Sequence, residues 1–233
     1  MTYNIHHGNP PDRPGEIALE PIIQLLKKEN PDLVALQEVD RKTQRSDRVD
    51  QAEKIAISAG YDFYHFYKAI EFEDGEYGLA ILSKFKPGQL KLHCLPGTED
   101  IEPRILAIME VMLPENQSII FANTHLDHQS EASRLQQANR ILEVTAEYSI
   151  PIILAGDLNA PEGSEPISML ERKFLKTCTD CEATFYNPNH GQAIDFIMTQ
   201  QDDQIEVLQH RVLSNINYSD HYPVVAVLNI KIP

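Results

Sequence analysis

The stretch Pro151-Ile-Ile-Leu-Ala-Gly-Asp-Leu-Asn-Ala160 constrains the fold more than any other in the chain. A proline-initiated apolar run reads as a strand buried on both faces, and this one ends at Gly156 with two short polar side chains after it. Residues two apart on an extended chain point the same way, so Asp157 and Asn159 share a face at the strand's exit. A carboxylate and an amide placed there can grip a phosphate or a hard metal ion. Gly, Asp and Asn are also common turn formers, so taken alone the same residues fit a plain turn. The chemical reading is favoured because other apolar strands of the chain also end in Asn, Glu or His.

Taken in order, Asn4 and His6 alternate onto one face of a first strand, which closes in the loop His7-Gly8-Asn9-Pro10-Pro11. Asn4 also fits a buried amide that satisfies loop backbone, and the two histidines a polar loop tip. Ile17 to Asn30 reads as a helix, with Leu19, Ile22, Ile23 and Leu26 at helical spacing and Pro31 ending it. Asp32 to Gln37 is then a short buried strand that delivers Glu38 at its C-terminal end. Taken singly, Glu38 also fits a helix cap or an ion pair. Arg41 to Asp50 is a charged loop, and Asp50 caps a helix that stops at Gly60.

From there the period changes to two. Tyr61 to Tyr67, Gly78 to Ser83, Gln89 to Leu95, Ile105 to Leu113 and Ser118 to Thr124 read as strands separated by Gly, Pro and Asn turns. Arg104, after Glu102-Pro103, fits either a contact to an anionic substrate oxygen or a surface ion pair. The strand Ile119 to Thr124 ends in His125-Leu-Asp-His128, where His125 also fits an ordinary core histidine. A helix from Glu131 to Tyr148 leads to the Pro151 strand, and Ser164 opens a short helix. Strands follow at Ala193 to Thr199, Ile205 to Leu213 and Tyr222 to Ile230. Asp195 lies early in the first of these, and Ser219-Asp220-His221 stands immediately before the last. No internal repeat, low-complexity tract or linker is visible, so a single domain over residues 1–233 is expected.

Composition narrows the partners. With 42% hydrophobic and 24% charged residues the chain is ordinary for a globular domain with a sizeable core. A net charge of −15 and the lack of a Lys/Arg cluster count against nonspecific nucleic-acid binding, although a bound dication can reverse the local field. The last two of three cysteines, Cys178 and Cys181, form a lone C-x-x-C that fits a loop disulfide or two free thiols better than a zinc site. There is no run long enough to span a bilayer. Met1 stands directly before strand-like Thr2-Tyr3-Asn4-Ile5, so the expected compartment is cytoplasmic for the chain as it stands, and exported if a leader precedes it.

Together, Asn4, Gln37-Glu38, Asn123-Thr-His125, Gly156-Asp-Leu-Asn159, Asp195 and Ser219-Asp-His221 resemble the endonuclease/exonuclease/phosphatase superfamily, the deoxyribonuclease I-like fold. The motifs occur in the family's order and span nearly the whole chain. Leu36 to Gln51 and Tyr77 to Ser83 look like a bacterial branch described only as metal-dependent hydrolases, which names no substrate. Two places depart from the family pattern. The first strand is short, which would leave the sheet edge carrying Asn4 less supported, and Leu79 stands where many relatives have Asn, which would alter the substrate wall.

The resemblance implies a four-layer α/β/β/α sandwich of two mainly antiparallel sheets, with the site where strand ends converge. It would make Glu38 the principal ligand of a catalytic Mg2+ or Mn2+, with Asn4 beside it and Asp220 completing the metal side. Asp157 would orient or deprotonate the attacking water, Asn159 and His125 would hold the scissile phosphate, and His221, paired with Asp195, would stabilise its charge or assist proton transfer. His6 and Arg104 are expected at the substrate. The chemistry asks for such a set, because hydrolysing an anionic ester needs a hard cation, a carboxylate against water and donors to the phosphate oxygens. The leading expectation is a monomeric, metal-dependent phosphoesterase for a small or lipid-derived phosphate ester. A nuclease is the alternative within enzymes, and a non-catalytic binding protein the alternative outside them. The missing basic stripe counts against the first, and the intact Glu38, Asp157, Asn159 and His221 against the second.

Overall fold

The computed structural model describes residues 1–97, 102–186, 191–202 and 204–231. In chain order the elements are β1 (Thr2–Asn4), α1 (Glu20–Glu29), β2 (Leu33–Arg41), α2 (Gln51–Ala59), β3 (Phe63–Phe72), β4 (Gly75–Ser83), β5 (Pro87–Cys94) and β6 (Ile105–Met112). They continue with β7 (Ser118–His125), α3 (Glu131–Thr145), β8 (Ile152–Asp157), α4 (Glu165–Leu170), β9 (Phe174–Lys176), β10 (Asp195–Gln200), β11 (Ile205–Val212) and β12 (Val224–Ile230). Two sheets result, ordered β11-β12-β1-β2-β4-β3 and β5-β6-β7-β8-β10-β9. Each is antiparallel except for one central pair, β1 with β2 and β7 with β8. A parallel pair needs a crossover, and α1 and α3 supply it.

Alternation along the strands builds three apolar layers. Val34 and Leu36 of β2 pack under Ile22, Leu26 and Ile55 of α1 and α2. On the second sheet, Leu106, Ile120 and Leu154 pack under Ile141 and Ile167 of α3 and α4. The faces between them, with Ala35, Leu79 and Ile81 meeting Met109, Phe121 and Ile153, close the core of the expected α/β/β/α sandwich. Leu79 is therefore buried between the sheets rather than in a substrate wall. β1 lies between β12 and β2, so Asn4 is not on an edge.

Several boundaries differ from the sequence reading. α1 begins at Glu20 rather than Ile17, because the preceding residues are tied back by Ala18 N–H to the Gly8 carbonyl (2.7 Å) and Pro21 favours the first helical turn. β2 runs on through Glu38 to Arg41, since its pairing with β4 survives a register shift between Leu36 and Val39. β3 and β4 form a longer hairpin than expected, closed by Glu73 and Asp74, both left-handed as a two-residue turn requires. Its charged tip hides the period-two signal, and β9 is too short to carry one. Cys178 and Cys181 are joined in a disulfide, and Cys94 is a free thiol. No described helix is long and apolar enough to cross a membrane.

Although the sequence shows no repeat, the topology does. In the first sheet β1-α1-β2 is followed by the antiparallel pair β3 and β4, and in the second β7-α3-β8 is followed by β9 and β10. Hairpins β11-β12 and β5-β6 complete the opposite flanks.

Gly156 is the tightest point of this frame. Its φ is +152°, and a Cβ there would lie 2.0 Å from the Thr124 carbonyl oxygen of the neighbouring strand. Gly156→Ala is expected to destabilise the fold by about 3 kcal/mol, from backbone strain and forced separation of β7 from β8. Equilibrium urea unfolding measures it, and a loss below about 1 kcal/mol would show that the two strands part freely.

Candidate active site

The C-terminal ends of β1, β2, β7 and β8 open into one cleft of about 440 Å³. His6, Glu38, Arg104, His125, Asp157, Asn159, Asp220 and His221 line it. Asn4 and Asp195 lie beneath, bonded to Asp157 and His221 respectively. All ten residues singled out from the sequence are thus brought together. A second cavity of about 420 Å³ opens elsewhere, lined mainly by apolar side chains such as Phe121, Ile153 and Leu228.

Asp157 is at the centre. The parallel register sets it beside His125, and the antiparallel register with β10 sets it opposite Asp195. Its Oδ1 accepts the Asn159 N–H (2.9 Å), and its Oδ2 accepts from Asn4 Nδ2 (3.0 Å). The same Oδ2 lies 3.4 Å from His125 Nε2 and 3.6 Å from His221 Nε2. Burial, reinforced by the facing Asp195 carboxylate, pushes Asp157 up to about 7, against the pull of His221 and the Asn4 amide.

The two imidazoles at Asp157 differ. His221 Nδ1 is 2.8 Å from Asp195 Oδ2, and Ser219 and the Phe185 ring pack around it. Burial opposes its charge, but Asp195 and Asp157 outweigh burial and raise it to about 10, so the ring is an imidazolium at neutral pH. His125 is buried without such a partner. Desolvation and the nearby Arg104 guanidinium hold it well below the usual value, so it is neutral. Asp195 is itself positioned by the Thr184 hydroxyl, which accepts its backbone N–H (3.0 Å).

Glu38 comes to the cleft through the irregularity in β2. Without the bulge, Glu38 would follow Val34 and Leu36 onto the helix-facing side. The inserted residue, with φ +55°, hands that side to Val39 and frees the carboxylate. Asn4 Nδ2 donates to Glu38 Oε1 (3.0 Å) as well as to Asp157, while its oxygen accepts the His6 N–H (3.0 Å). Burial opposes the charge of Glu38, but the contacts with His7, Asn4 and the other histidines prevail and hold it below the ordinary carboxylate range.

Among the described residues, two groups bring three metal-competent side chains within 4.8 Å: His6, His7 and Glu38, and Asp157, Asp195 and His221. The second is a poor fit for a cation, because His221 is already bonded to Asp195 and charged. The first fits, since Glu38 is an anion and the buried Nδ1 of His7 has no hydrogen-bond partner.

Arg104 is buried rather than part of a surface ion pair. Its guanidinium is held by Glu102 (2.9 Å) and His128 (3.3 Å), and its Nε is buried without a partner. Sequence reasoning missed Arg45 and Tyr77 in the cleft wall. Arg45 falls in the stretch that reads as a charged loop, but buried Asp40 grips its Nε and Nη2, both at 2.8 Å, and it lies 4.5 Å over the Phe72 ring. A lone Asp at the far end of an apolar strand was the one available signal.

No curated protein matches the chain by sequence. Among solved structures, a functionally unknown conserved protein from Enterococcus faecalis is 24% identical, with 98% of each chain covered and a TM-score of 0.80. The mannosyl-6-phosphatase of Bacteroides thetaiotaomicron is 18% identical over 98% of each chain, with a TM-score of 0.79. The human Nocturnin catalytic domain with bound sulfate is 19% identical, covering 98% of this chain and 91% of that one, with a TM-score of 0.75. The family model described as Endonuclease/Exonuclease/phosphatase matches residues 1–221, from the first strand to the histidine that faces Asp157, and the chain belongs to that family.

Proposed function

We propose that the protein is a divalent-cation-dependent phosphoesterase that hydrolyses a small phosphate monoester or diester. The observation that carries this reading is the buried Asp157 carboxylate, poised near neutrality between a charged His221 and a neutral His125. A group with that proton affinity takes a proton from water at neutral pH without being permanently saturated. Asp157 is thus the general base, aimed by Asn4 and the Asn159 backbone. The Nε2–H of His221 is the donor to a phosphoryl oxygen on which charge develops, and Asp195 keeps the ring charged and in one orientation. The Asn159 amide and His125 hold the remaining oxygens. Arg104 binds the anionic part of the substrate outside the reacting group.

Glu38 anchors the cation, with Asn4 fixing the carboxylate and Asp220 flanking it. A bound dication would neutralise the phosphate charge that otherwise repels a nucleophile. A small substrate is favoured because both cleft arginines are already paired, Arg45 with Asp40 and Arg104 with Glu102, and the net charge is −15. That leaves no basic track for a nucleic-acid backbone. One structural neighbour is named a mannosyl-6-phosphatase, which is consistent with a sugar phosphate.

Hydrolysis of a chromogenic phosphate ester should require added dication and stop with chelator. Glu38→Gln should weaken cation binding and activity together with the fold retained, since Gln keeps the side chain's size and an oxygen to accept from Asn4 Nδ2 and removes only the charge. Calorimetric titration decides it, and unchanged cation affinity would remove Glu38 from the ligand set.

His221→Ala and Asp195→Asn should each lower kcat/KM by about two to three orders of magnitude. If they act as a unit, the double variant should cost little more than the worse single one. Fully additive losses would sink the pairing.

The same pair gives a signed pH dependence. His221 rises from about 6.5 unfolded to about 10 folded, so its contribution to stability is complete below pH 6.5 and is lost as pH climbs toward 10. The stability difference between wild type and Asp195→Asn should shrink across that window in denaturant titrations. A difference that stays constant from pH 6 to 10 would mean that His221 is not charged by Asp195.

A further inference from the structure

Besides Asn159 (φ 46°), a residue type that tolerates it, three residues at the cleft have left-handed backbone although none is glycine: His6 (φ 45°), His7 (φ 44°) and Glu38 (φ 55°). This conformation crowds a Cβ against the following carbonyl oxygen, so all three residues oppose folding. Such strain persists only where the surroundings hold it, and it marks sites where side-chain direction matters. Here it points one ligand atom from each residue to a common place, within 4.8 Å of one another.

The surroundings that hold it are specific. Asn4 Oδ1 accepts the His6 N–H at 3.0 Å. Gln51, the first residue of α2, donates from Nε2 to the His7 carbonyl (2.7 Å) and accepts the Asp40 N–H on Oε1 (3.0 Å). One amide thereby ties the histidine turn to the strand that carries Glu38.

The ring nitrogens are set for ligation. His6 Nδ1 is 3.0 Å from the Asn9 carbonyl oxygen, which can only accept, so Nδ1 donates there and Nε2 is the nitrogen left for a ligand. A backbone carbonyl on the far nitrogen is the usual support of a metal-bound imidazole. His7 Nδ1 is buried, without a hydrogen-bond partner, and 3.9 Å from Glu38 Oε2. Two ligand atoms that each lie about 2.0–2.2 Å from one ion are roughly 3–4 Å apart, so the spacing fits a shared cation. Asn4 turns its NH2 toward Glu38, so the amide oxygen does not supply the missing ligand.

We propose that His6, His7 and Glu38 form a seat of two imidazole nitrogens and one carboxylate, which selects a first-row transition dication over Mg2+. Mg2+ prefers oxygen ligands and keeps its waters, whereas imidazole suits borderline ions of the cobalt and zinc type. The proposal rests on the phosphoesterase reading only in placing that cation beside the reacting phosphate.

The test uses the full chain after chelator treatment, with Co2+ and Mg2+ as probes in calorimetric titrations. Any site with a nitrogen or oxygen ligand favours Co2+, so the decisive quantity is the selective loss. His6→Asn and His7→Asn, whose new side chain tolerates a left-handed backbone, should each weaken Co2+ at least ten-fold and change Mg2+ less than two-fold. The wild-type Co2+ complex should also show strongly shifted imidazole N–H resonances in proton NMR, which decides the matter even if a variant does not fold. Wild-type Co2+ affinity in both folded variants, or no shifted ring resonances in the parent protein, would overturn the seat. If Glu38→Gln alone abolishes binding of both ions, the seat fails and the phosphoesterase reading stands. If Glu38→Gln leaves both affinities unchanged, that reading loses its cation anchor, and the seat falls with it.

Discussion

Two buried amides hold the sheets in the one alignment the cleft can use. Gln37 Nε2 donates to Asn123 Oδ1 across the sheet interface (2.7 Å), and Asn123 Nδ2 donates to the Leu36 and Ala80 carbonyls (both 2.9 Å). Tyr67 Oη donates to the Ile108 carbonyl (2.9 Å) and Asn4 Nδ2 to Asp157 Oδ2 (3.0 Å) across the same interface, and the apolar remainder could slide with little penalty, because dispersion contacts are non-directional. A slip that separated these amides would strand buried donors at a cost of about 1–3 kcal/mol each. Gln37 and Asn123 immediately precede Glu38 and Thr124-His125, so the tie fixes the distance between the two halves of the site rather than the fold at large.

Those halves occupy equivalent slots of the repeated topology. Glu38 follows β2's central stretch as Asp157 ends β8, and Asn4 ends β1 as His125 ends β7. The environments then push the two carboxylates apart. Glu38 is drawn down by surrounding histidines and an amide, and Asp157 is pushed up by burial and a facing Asp195. Two acids of different proton affinity on one frame allow one to hold a cation and the other to accept a proton, with no change of residue type beyond Glu for Asp.

The layered fold and most of the cleft were legible because a buried strand that ends in a polar side chain is a strong local signal. Pro151 to Asn159 and Ile119 to His125 carried it, and Asp195 and His221 could be paired through family resemblance. What stayed hidden depends on contacts far apart in sequence. The bulge at Glu38 leaves no mark in the hydrophobic pattern, since one inserted residue among Gln, Glu and Asp looks like a strand end. Arg45 reads as solvated loop until Asp40 is seen to be buried, and Arg104 reads as surface until His128 and Glu102 close over it. The left-handed turn at His6 and His7 contains no glycine at the strained positions, so no propensity rule announces it.

The first strand has one further consequence, for the chain as it is made. β1 pairs on one side with β2, which follows it closely, and on the other with β12, through Thr2 opposite Val224. At about 5–20 residues per second, that second edge of β1 stays open on the order of ten seconds or more during synthesis. An unpaired edge beside apolar side chains is what chaperones shield and what stray strands adopt. The segment that finally covers it follows directly on His221. The strand that covers β1 and the imidazole that faces Asp157 thus come from one short stretch, and the site lacks His221 until that stretch is made.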